Sequence, residues 1–172
     1  MDFRLAVMQD LQQLKGVYRK IIQNMNANNI QIWDDIYPLN FLEEDIQNNR
    51  LYVLYDNGEL VSAFALCSTS LGEQSVKWKD ARGKALYLDR LGVNVNYLRR
   101  GTGSLMLAKA KETAKALGAE YLRLFVVDIN EPAIRLYTKN NFKRAGGVYH
   151  EVIDDNMILK EYGYEAVLSS EL

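Results

Sequence analysis

A turn that contains two glycines and begins with two arginines has the residue types best suited to binding an anion. Its residues are Arg99, Arg100, Gly101, Thr102, Gly103 and Ser104. Glycine lets a ligand approach the backbone closely, and arginine side chains pair with phosphate oxygens. A helix pattern begins within this turn, and the first amides of a helix have no partner inside it and lie at the positive end of its dipole. The segment therefore predicts a phosphate-binding turn.

Other kinds of turn share this glycine spacing. A P-loop needs a lysine directly after its second glycine, and no lysine stands there. A dinucleotide fingerprint needs a third small residue where Met106 stands, although Asp128 lies where such a fold places its ribose-binding acid. A glycine pair also occurs in ordinary turns. From the residues alone, a phosphate turn, a dinucleotide site and a plain turn all stay open.

Hydrophobic periodicity places this turn between a strand and a helix. Strands are predicted at residues 2–7, 51–55, 60–67, 85–95, 121–127, 142–152 and 157–162, and helices at 11–25, 39–47, 102–117 and 131–140. The Asn57-Gly58 pair is a strong hairpin signal. Residues 68–83 form a long polar connection, and a loop of that length in a compact domain is usually functional or mobile.

The order of these elements predicts the fold class. Hairpins flank one strand-helix-strand crossover, which indicates an α/β (α+β layered) fold. Its central sheet is expected to be mixed, mostly antiparallel and of about seven strands, with helices on both faces. The 172 residues are enough for one domain, spanning 1–172, with a core of its own.

Composition argues against several functional classes. The net charge of -1 gives no general reason to bind nucleic acid or an anionic membrane, and no apolar run is long enough to span a bilayer. Cys67 is the single cysteine, which excludes an intramolecular disulfide and a multi-cysteine metal framework, so no metal is expected. The first residues lack a signal-peptide pattern. We therefore expect a cytoplasmic protein, either a monomer or a homodimer.

Two motifs show a recognisable residue pattern. The first joins Leu-Gly-Val at 91–93 to Arg-Arg-Gly-Thr-Gly-Ser-Leu-Met-Leu at 99–107. The second is Asn-Glu-Pro-Ala-Ile-Arg-Leu-Tyr at 130–137, followed by Asn-Asn-Phe at 140–142. Together they resemble the GNAT superfamily of acetyl-CoA-dependent N-acetyltransferases. Leu98 stands where that family usually has Gln or Arg, and Asn141 where it usually has glycine, although Asn tolerates a left-handed backbone.

The resemblance implies a role for each motif. The pyrophosphate of acetyl-CoA would be bound by the backbone of the turn at 99–104, with Arg99 or Arg100 supplying any phosphate-facing side chain. The remaining implied contacts to the coenzyme involve Leu91, Gly92, Val93, Asn130, Ala133 and Tyr137. The backbone near Leu91, Gly92 and Val93 would donate to the thioester carbonyl. Asn130 would contact the coenzyme arm, and the Tyr137 hydroxyl would protonate the leaving thiolate, since a phenol is protonated at neutral pH.

Each of these side chains also has a simpler explanation. Tyr137 follows Ile134 and Leu136 on a short helix, where an aromatic residue is often part of the core. Asn130 stands where a helix N-cap is expected. Cys67 at a strand end and His150 in the last hairpin are interpreted as structural residues.

The general base and the acceptor site are less defined by the sequence. Asp89 lies on the predicted strand, on the face of Tyr87 and Val93, and a partly desolvated carboxylate there could accept a proton from an amine. The alternative is an ion pair with Arg90 or Arg123. The family often builds its acceptor site in the segment that here holds Trp33, Asp34, Asp35 and Tyr37, where an acid beside aromatic rings suits a cationic amine. The alternative is an ordinary surface loop.

The sequence therefore predicts an N-acetyltransferase that moves an acetyl group from acetyl-CoA to a primary amine of a small molecule, by direct attack in a ternary complex. Its proposed catalytic residues are Tyr137 and Asp89, and its proposed substrate-binding residues are Trp33, Asp34 and Tyr37. Three other functions stay open: a non-catalytic acyl-CoA-binding or regulatory module, a protein N-acetyltransferase, and a dinucleotide-binding enzyme.

Overall fold

The computed structural model describes residues 1–168 of the chain. It contains two compact units. The first unit comprises Met1–Leu66 and Arg90–Met106, and the second comprises Cys67–Asp89 and the described chain from Leu107 onward.

The secondary structure consists of four α-helices and ten strands within the described residues. The helices are α1 (Leu11–Ala27), α2 (Leu42–Gln47), α3 (Thr102–Ala116) and α4 (Glu131–Lys139). The first five strands are β1 (Asp2–Leu5), β2 (Leu51–Asp56), β3 (Glu59–Cys67), β4 (Val76–Lys77) and β5 (Ala85–Val93). The remaining strands are β6 (Tyr121–Val127), β7 (Lys143–Arg144), β8 (Gly146–Gly147), β9 (Tyr149–Asp154) and β10 (Met157–Val167). The predicted class is confirmed, because this is a mixed α/β fold with mostly antiparallel strands flanked by helices.

In the first unit the strand order is β1-β2-β3-β5, with β5 represented by its residues from Arg90 onward. The β1-β2 and β2-β3 pairs are antiparallel. The hairpin between β2 and β3 turns at Asn57 and Gly58, whose φ angles of 50° and 80° are the two positive values that a type I′ turn requires. Helix α1 buries Leu14, Tyr18 and Ile21, which recur at helical spacing.

In the second unit the strand order is β5-β6-β10-β7, and β9 pairs with β10. The β5-β6 pair is parallel and covers Ala85–Tyr87 against Tyr121–Arg123. Strand β10 runs antiparallel to β6, β7 and β9. The core of this unit includes Leu122 and Leu124 of β6 and Ala110 and Ala114 of α3.

One predicted strand is wrong. Residues 142–152 do not form a single strand, because β7 pairs with β10 while β8 pairs with β4 in a separate two-stranded ladder. Gly147 has a φ of 87°, a conformation open to glycine that interrupts an extended strand. The third strand in this region, β9, begins only after this break, at Tyr149.

The long connection at 68–83 is held by the second unit. The indole Nε1 of Trp78 donates to the Glu73 carbonyl at 2.8 Å, and the Arg123 guanidinium lies 4.7 Å from the Trp78 ring centre. The buried Glu165 carboxylate accepts from Arg123 Nε at 3.2 Å and from the Lys79 amide at 2.7 Å. An ion pair that is nearly inaccessible to solvent thus fixes the path of this segment.

Candidate functional site

The predicted anion-binding turn has the backbone that its glycines suggested. Gly101 has a φ of 77°, and a side chain added there would meet open space. The amide of Leu105 donates to the Gly101 carbonyl at 3.0 Å, which closes the first turn of α3. The amides of Thr102 and Gly103 therefore precede the first intrahelical hydrogen bond, and such amides can serve an anion.

Two features of this turn could not be read from the sequence. Arg99 also has a left-handed backbone, with a φ of 62°, which is uncommon for a residue with a side chain. The Arg100 guanidinium lies 5.2 Å from the centre of the Tyr97 ring, and the Tyr97 hydroxyl donates to Glu59 at 2.8 Å. Arg99 and Arg100 are both exposed. The turn can therefore present left-handed backbone and two accessible guanidinium groups to a diphosphate.

The strand before the turn contains an irregular residue. Arg90 of β5 has a φ of 56°, so the strict side-chain alternation assumed for this strand does not extend past it. Gly92 follows, and a Cβ placed on it would lie 3.0 Å from Tyr18 Cζ and 2.9 Å from Ile21 Cδ1. Its carbonyl accepts from the Ser62 hydroxyl at 2.6 Å. Glycine is thus required at position 92 by the packing of α1, whatever its role toward a ligand.

A buried ion network surrounds Arg90. The Asp45 side chain has no exposed surface and receives Arg90 Nε at 2.7 Å, Arg90 Nη2 at 2.8 Å and Arg50 Nε at 2.7 Å. The Arg90 guanidinium lies 5.7 Å from the Tyr37 ring centre and 5.5 Å from that of Phe41. Within the first unit Arg90 pairs with Asp45, and within the second unit Arg123 pairs with Glu165.

The predicted acceptor residues all lie in the first unit. Trp33 is half-buried and stacks on Tyr18 with ring centres 5.9 Å apart, and Tyr37 contacts Phe41 edge-on at 5.2 Å. Asp34 is exposed, and its Oδ1 accepts from the amides of Ile36 and Tyr37, each at 2.8 Å. One carboxylate oxygen of Asp34 therefore shapes its own turn.

Tyr137, the predicted acid, lies in the second unit on α4. Its ring contacts Phe142 at 5.8 Å and Tyr164 at 6.5 Å between ring centres. Burial, and then the negative charge of Asp89, raise the pKa of the Tyr137 hydroxyl. The interpretation as a packed aromatic is therefore correct for the ring, and its hydroxyl stays protonated at neutral pH, as a proton donor must.

Sequence reasoning missed two carboxylates near Asp89. Burial, the charge of Glu151, a hydrogen bond to the Glu151 carboxyl and the charge of Asp89 together raise the pKa of Glu161 to about 8. Glu161 lies in β10 and pairs in register with Tyr149 of β9, which puts Glu151 one alternate position further along the same hairpin. The hairpin register could have indicated this proximity, but the predicted strand ended at residue 152 without a defined register.

Asn130 and Ala133 are joined in the second unit by a helix cap. The Asn130 side chain accepts from the Ala133 amide at 3.4 Å, and Pro132 occupies the first turn of α4. The structural interpretation of Asn130 is thus confirmed. Its contact with a coenzyme, and that of Ala133, stay predictions.

Comparison with known proteins identifies the class to which this fold belongs. The acetyltransferase (GNAT) family model matches residues 14–142, three quarters of the chain and both motifs described above. The chain therefore belongs to the acetyltransferase (GNAT) family. This family uses acetyl-CoA as cosubstrate and acts on amines of small molecules or proteins.

Solved structures share the fold across nearly the whole chain. A putative acetyltransferase from Staphylococcus aureus Mu50 is 24% identical, with a TM-score of 0.72 over 98% of this chain and 100% of that one. A GNAT family acetyltransferase from Streptococcus agalactiae 2603 is 18% identical, with a TM-score of 0.77 over 96% and 94%. A ribosomal-protein-alanine N-acetyltransferase from Brucella melitensis is 20% identical, with a TM-score of 0.69 over 97% and 99%. No curated protein sequence matches significantly.

None of the helices within residues 1–168 is both long enough and apolar enough to cross a membrane. In the same part of the chain, no three His, Cys, Asp or Glu side chains are grouped so that they could hold a metal ion.

Proposed function

We propose that this chain transfers the acetyl group of acetyl-CoA to a primary amine of a small molecule, by direct attack in a ternary complex. The observation that carries the proposal is the turn at 99–104, in which Arg99 and Gly101 have left-handed backbone at the start of α3. Family membership makes coenzyme A the ligand that this turn would bind. Acetyl-CoA supplies the thioester, and the residues of the chain supply binding and proton transfer.

Binding of the pyrophosphate would rest on backbone amides and on the two exposed arginines. The amides of Gly101, Thr102 and Gly103 lie at the positive end of the α3 dipole. Leu98, which replaces the usual polar side chain, is exposed and can donate no hydrogen bond from its side chain. The carbonyl of the acetyl group would be bound by backbone of Leu91, Gly92 and Val93.

Proton transfer is assigned to Tyr137 and Asp89. The leaving thiolate needs a proton, and the Tyr137 hydroxyl holds one at neutral pH because burial and Asp89 raise its pKa. The attacking amine must lose a proton, and Asp89 is the carboxylate whose charge also raises the pKa of Glu161. Trp33, Asp34 and Tyr37 would bind the acceptor amine.

We expect the chain to act as a single domain, as a monomer or homodimer, in the cytoplasm. We expect it to need no metal and to bind neither nucleic acid nor a membrane.

Calorimetry with acetyl-CoA tests the coenzyme site. Gly101→Val should lower acetyl-CoA affinity by roughly tenfold or more, because a β-branched residue resists a φ of 77° and would reshape the turn. Gly118→Val is the matched control, since Gly118 has a φ of 94°, equally open surroundings and a place at the opposite end of the helix. NAD and ATP serve as control ligands. Wild-type protein that binds NAD in place of acetyl-CoA would overturn the proposal.

An acceptor panel with detection of released thiol tests the chemistry. It should contain mono- and diamines, amino acids and peptides with a free N-terminus. Turnover with small amines supports the proposal. Turnover with peptides alone would overturn its small-molecule part, and binding of acetyl-CoA without any turnover would identify a non-catalytic acyl-CoA-binding module.

A further inference from the structure

Arg90 of the first unit contacts the predicted acceptor segment, residues 33–37, and lies in the strand that precedes the anion-binding turn. Its left-handed backbone inside β5 is uncommon for a residue with a side chain and has to be stabilised by its surroundings. The side chain is 7% exposed and forms a two-point ion pair with the fully buried Asp45. The conformation of this strand therefore depends on contacts from α2.

The acceptor segment reaches Arg90 directly through Tyr37. The Arg90 guanidinium lies 5.7 Å from the Tyr37 ring centre, and its Nη1 donates to the Tyr37 hydroxyl at 3.4 Å. A planar guanidinium can pair with a carboxylate and contact an aromatic ring at the same time, which an ammonium group does less well. Arg90 thus links Asp45 to the end of the acceptor segment.

The acceptor segment is also connected to Arg90 through Tyr18. Trp33 stacks on the Tyr18 ring, and the Tyr18 hydroxyl donates to the Arg90 carbonyl at 2.6 Å. The Tyr18 ring also packs against Gly92, where a Cβ would approach it to 3.0 Å. One fully buried tyrosine therefore contacts the acceptor segment, the irregular residue and the strand that follows it.

We propose that Tyr18, Asp45 and Arg90 are positioning residues that couple the acceptor segment at 33–37 to the strand at 91–93. This rests on the proposed function, in which the first segment binds the amine and the second binds the acetyl carbonyl. A shift of either segment moves Arg90, and Arg90 moves the other. The network then sets the approach of the amine without touching any reacting atom.

Tyr18→Phe tests this coupling with little loss of packing. The variant keeps the ring on Trp33 and Gly92 but removes the hydrogen bond to the Arg90 carbonyl and the longer one, 3.3 Å, to the Ala63 carbonyl. Amide hydrogen exchange should become faster by roughly fivefold at both 33–37 and 91–94, the scale of one buried hydrogen bond. If the wild-type protein acetylates an amine, the KM of that amine should rise by a similar factor in Tyr18→Phe, while the KM of acetyl-CoA stays within about twofold.

Tyr55→Phe is the matched control. It removes a hydroxyl that donates to Asp10 at 2.8 Å in the same unit, so it costs stability without touching the network. It should leave exchange in both segments and the KM of the amine unchanged. Arg90→Lys is the second test variant, because it keeps the charge beside Asp45 but loses the planar contact with Tyr37. It should change the same two segments and the same KM.

Coupling is overturned if Tyr18→Phe and Arg90→Lys loosen one segment alone, loosen neither, or act no differently from Tyr55→Phe. Failure of the proposed function is a separate result, since wild-type protein would then acetylate no amine of the panel. Hydrogen exchange needs no turnover, so it decides the coupling in that case as well.

Discussion

Asp45 in the first unit and Glu161 in the second are two carboxyl groups whose charged neighbours have opposite signs. Asp45 is fully buried and receives three hydrogen bonds from Arg50 and Arg90. Glu161 is half-buried, and the neighbouring charges that raise its pKa, those of Glu151 and Asp89, are both negative. The first carboxylate is paired with two guanidinium groups, whereas the pKa of the second is raised to about 8.

These different surroundings give Asp45 and Glu161 different roles. The Asp45 carboxylate is hydrogen-bonded to both Arg50 and Arg90, so it serves to hold these two guanidinium groups in place. A carboxyl group with a pKa of about 8 changes charge close to neutral pH, where a general acid or base is most effective. Asp89 lies in the same unit as Glu161, and its negative charge raises the pKa of both Glu161 and Tyr137.

The largest effect is expected from removing the charge of Asp45. Asp45→Asn leaves two arginines without their carboxylate, one of them 7% exposed, and should reduce the free energy of unfolding by about 3 to 5 kcal/mol. Urea unfolding at pH 7 measures it. Glu44→Gln is the control, because Glu44 is exposed and lies 3.7 Å from Arg50, so its loss should cost less than about 1 kcal/mol. Equal effects of the two substitutions would contradict our account of Asp45.

The next effect concerns the proton donor beside Asp89. Tyr137→Phe should lower kcat by roughly 100-fold, the scale of losing one general acid, with acetyl-CoA affinity within about twofold of wild type. Steady-state kinetics and calorimetry provide the two measurements. Tyr164→Phe changes a ring 6.5 Å from that of Tyr137 and should leave kcat nearly unchanged. An undiminished kcat in Tyr137→Phe would rule out the acid role.

The smallest expected effect is that of Glu161→Gln, which should raise stability at high pH, whereas Asp45→Asn lowers stability. Because the folded-state pKa of Glu161 is raised to about 8 from 4.5, its contribution to stability is full below pH 4.5 and falls as pH rises toward 8. Glu161→Gln cannot ionise, so it should be more stable than wild type at pH 9, on the order of 1 kcal/mol after solvent screening, and nearly equal to it at pH 5. Urea unfolding at both pH values checks this.

Glu131→Gln, which changes an exposed residue of α4, is the control for Glu161→Gln and should show no such pH-dependent gain. A loss of stability in Glu161→Gln at pH 9 would mean that Glu161 is ionised and paired. Glu161 would then resemble Asp45 in having a cationic partner, and the contrast between these two carboxyl groups would be wrong.

Local sequence patterns predicted most of the elements and one local part of the site. Helix α1 begins at Leu11 as its apolar spacing predicts, and the Asn57-Gly58 pair forms the expected turn. Asn141 adopts the left-handed φ of 67° that its replacement of glycine requires. Gly101 has the positive φ for which glycine is best suited. Each of these depends on contacts within a few residues, which is why the sequence alone determines them together with the family and the fold class.

Tertiary structure decided what depends on distant residues. Asp45 and Arg90 are 45 positions apart, and the sequence marks neither as the partner of the other. The left-handed backbone of Arg90 is held by α1 and α2, and the break within 142–152 arises because β7 and β8 pair with different strands. The pKa of Glu161, in β10, depends on charges from two other strands, Glu151 of β9 and Asp89 of β5. Burial and Coulomb interactions act through space and not along the chain, so only the folded structure reveals which carboxylate is neutralised by arginines and which keeps its proton.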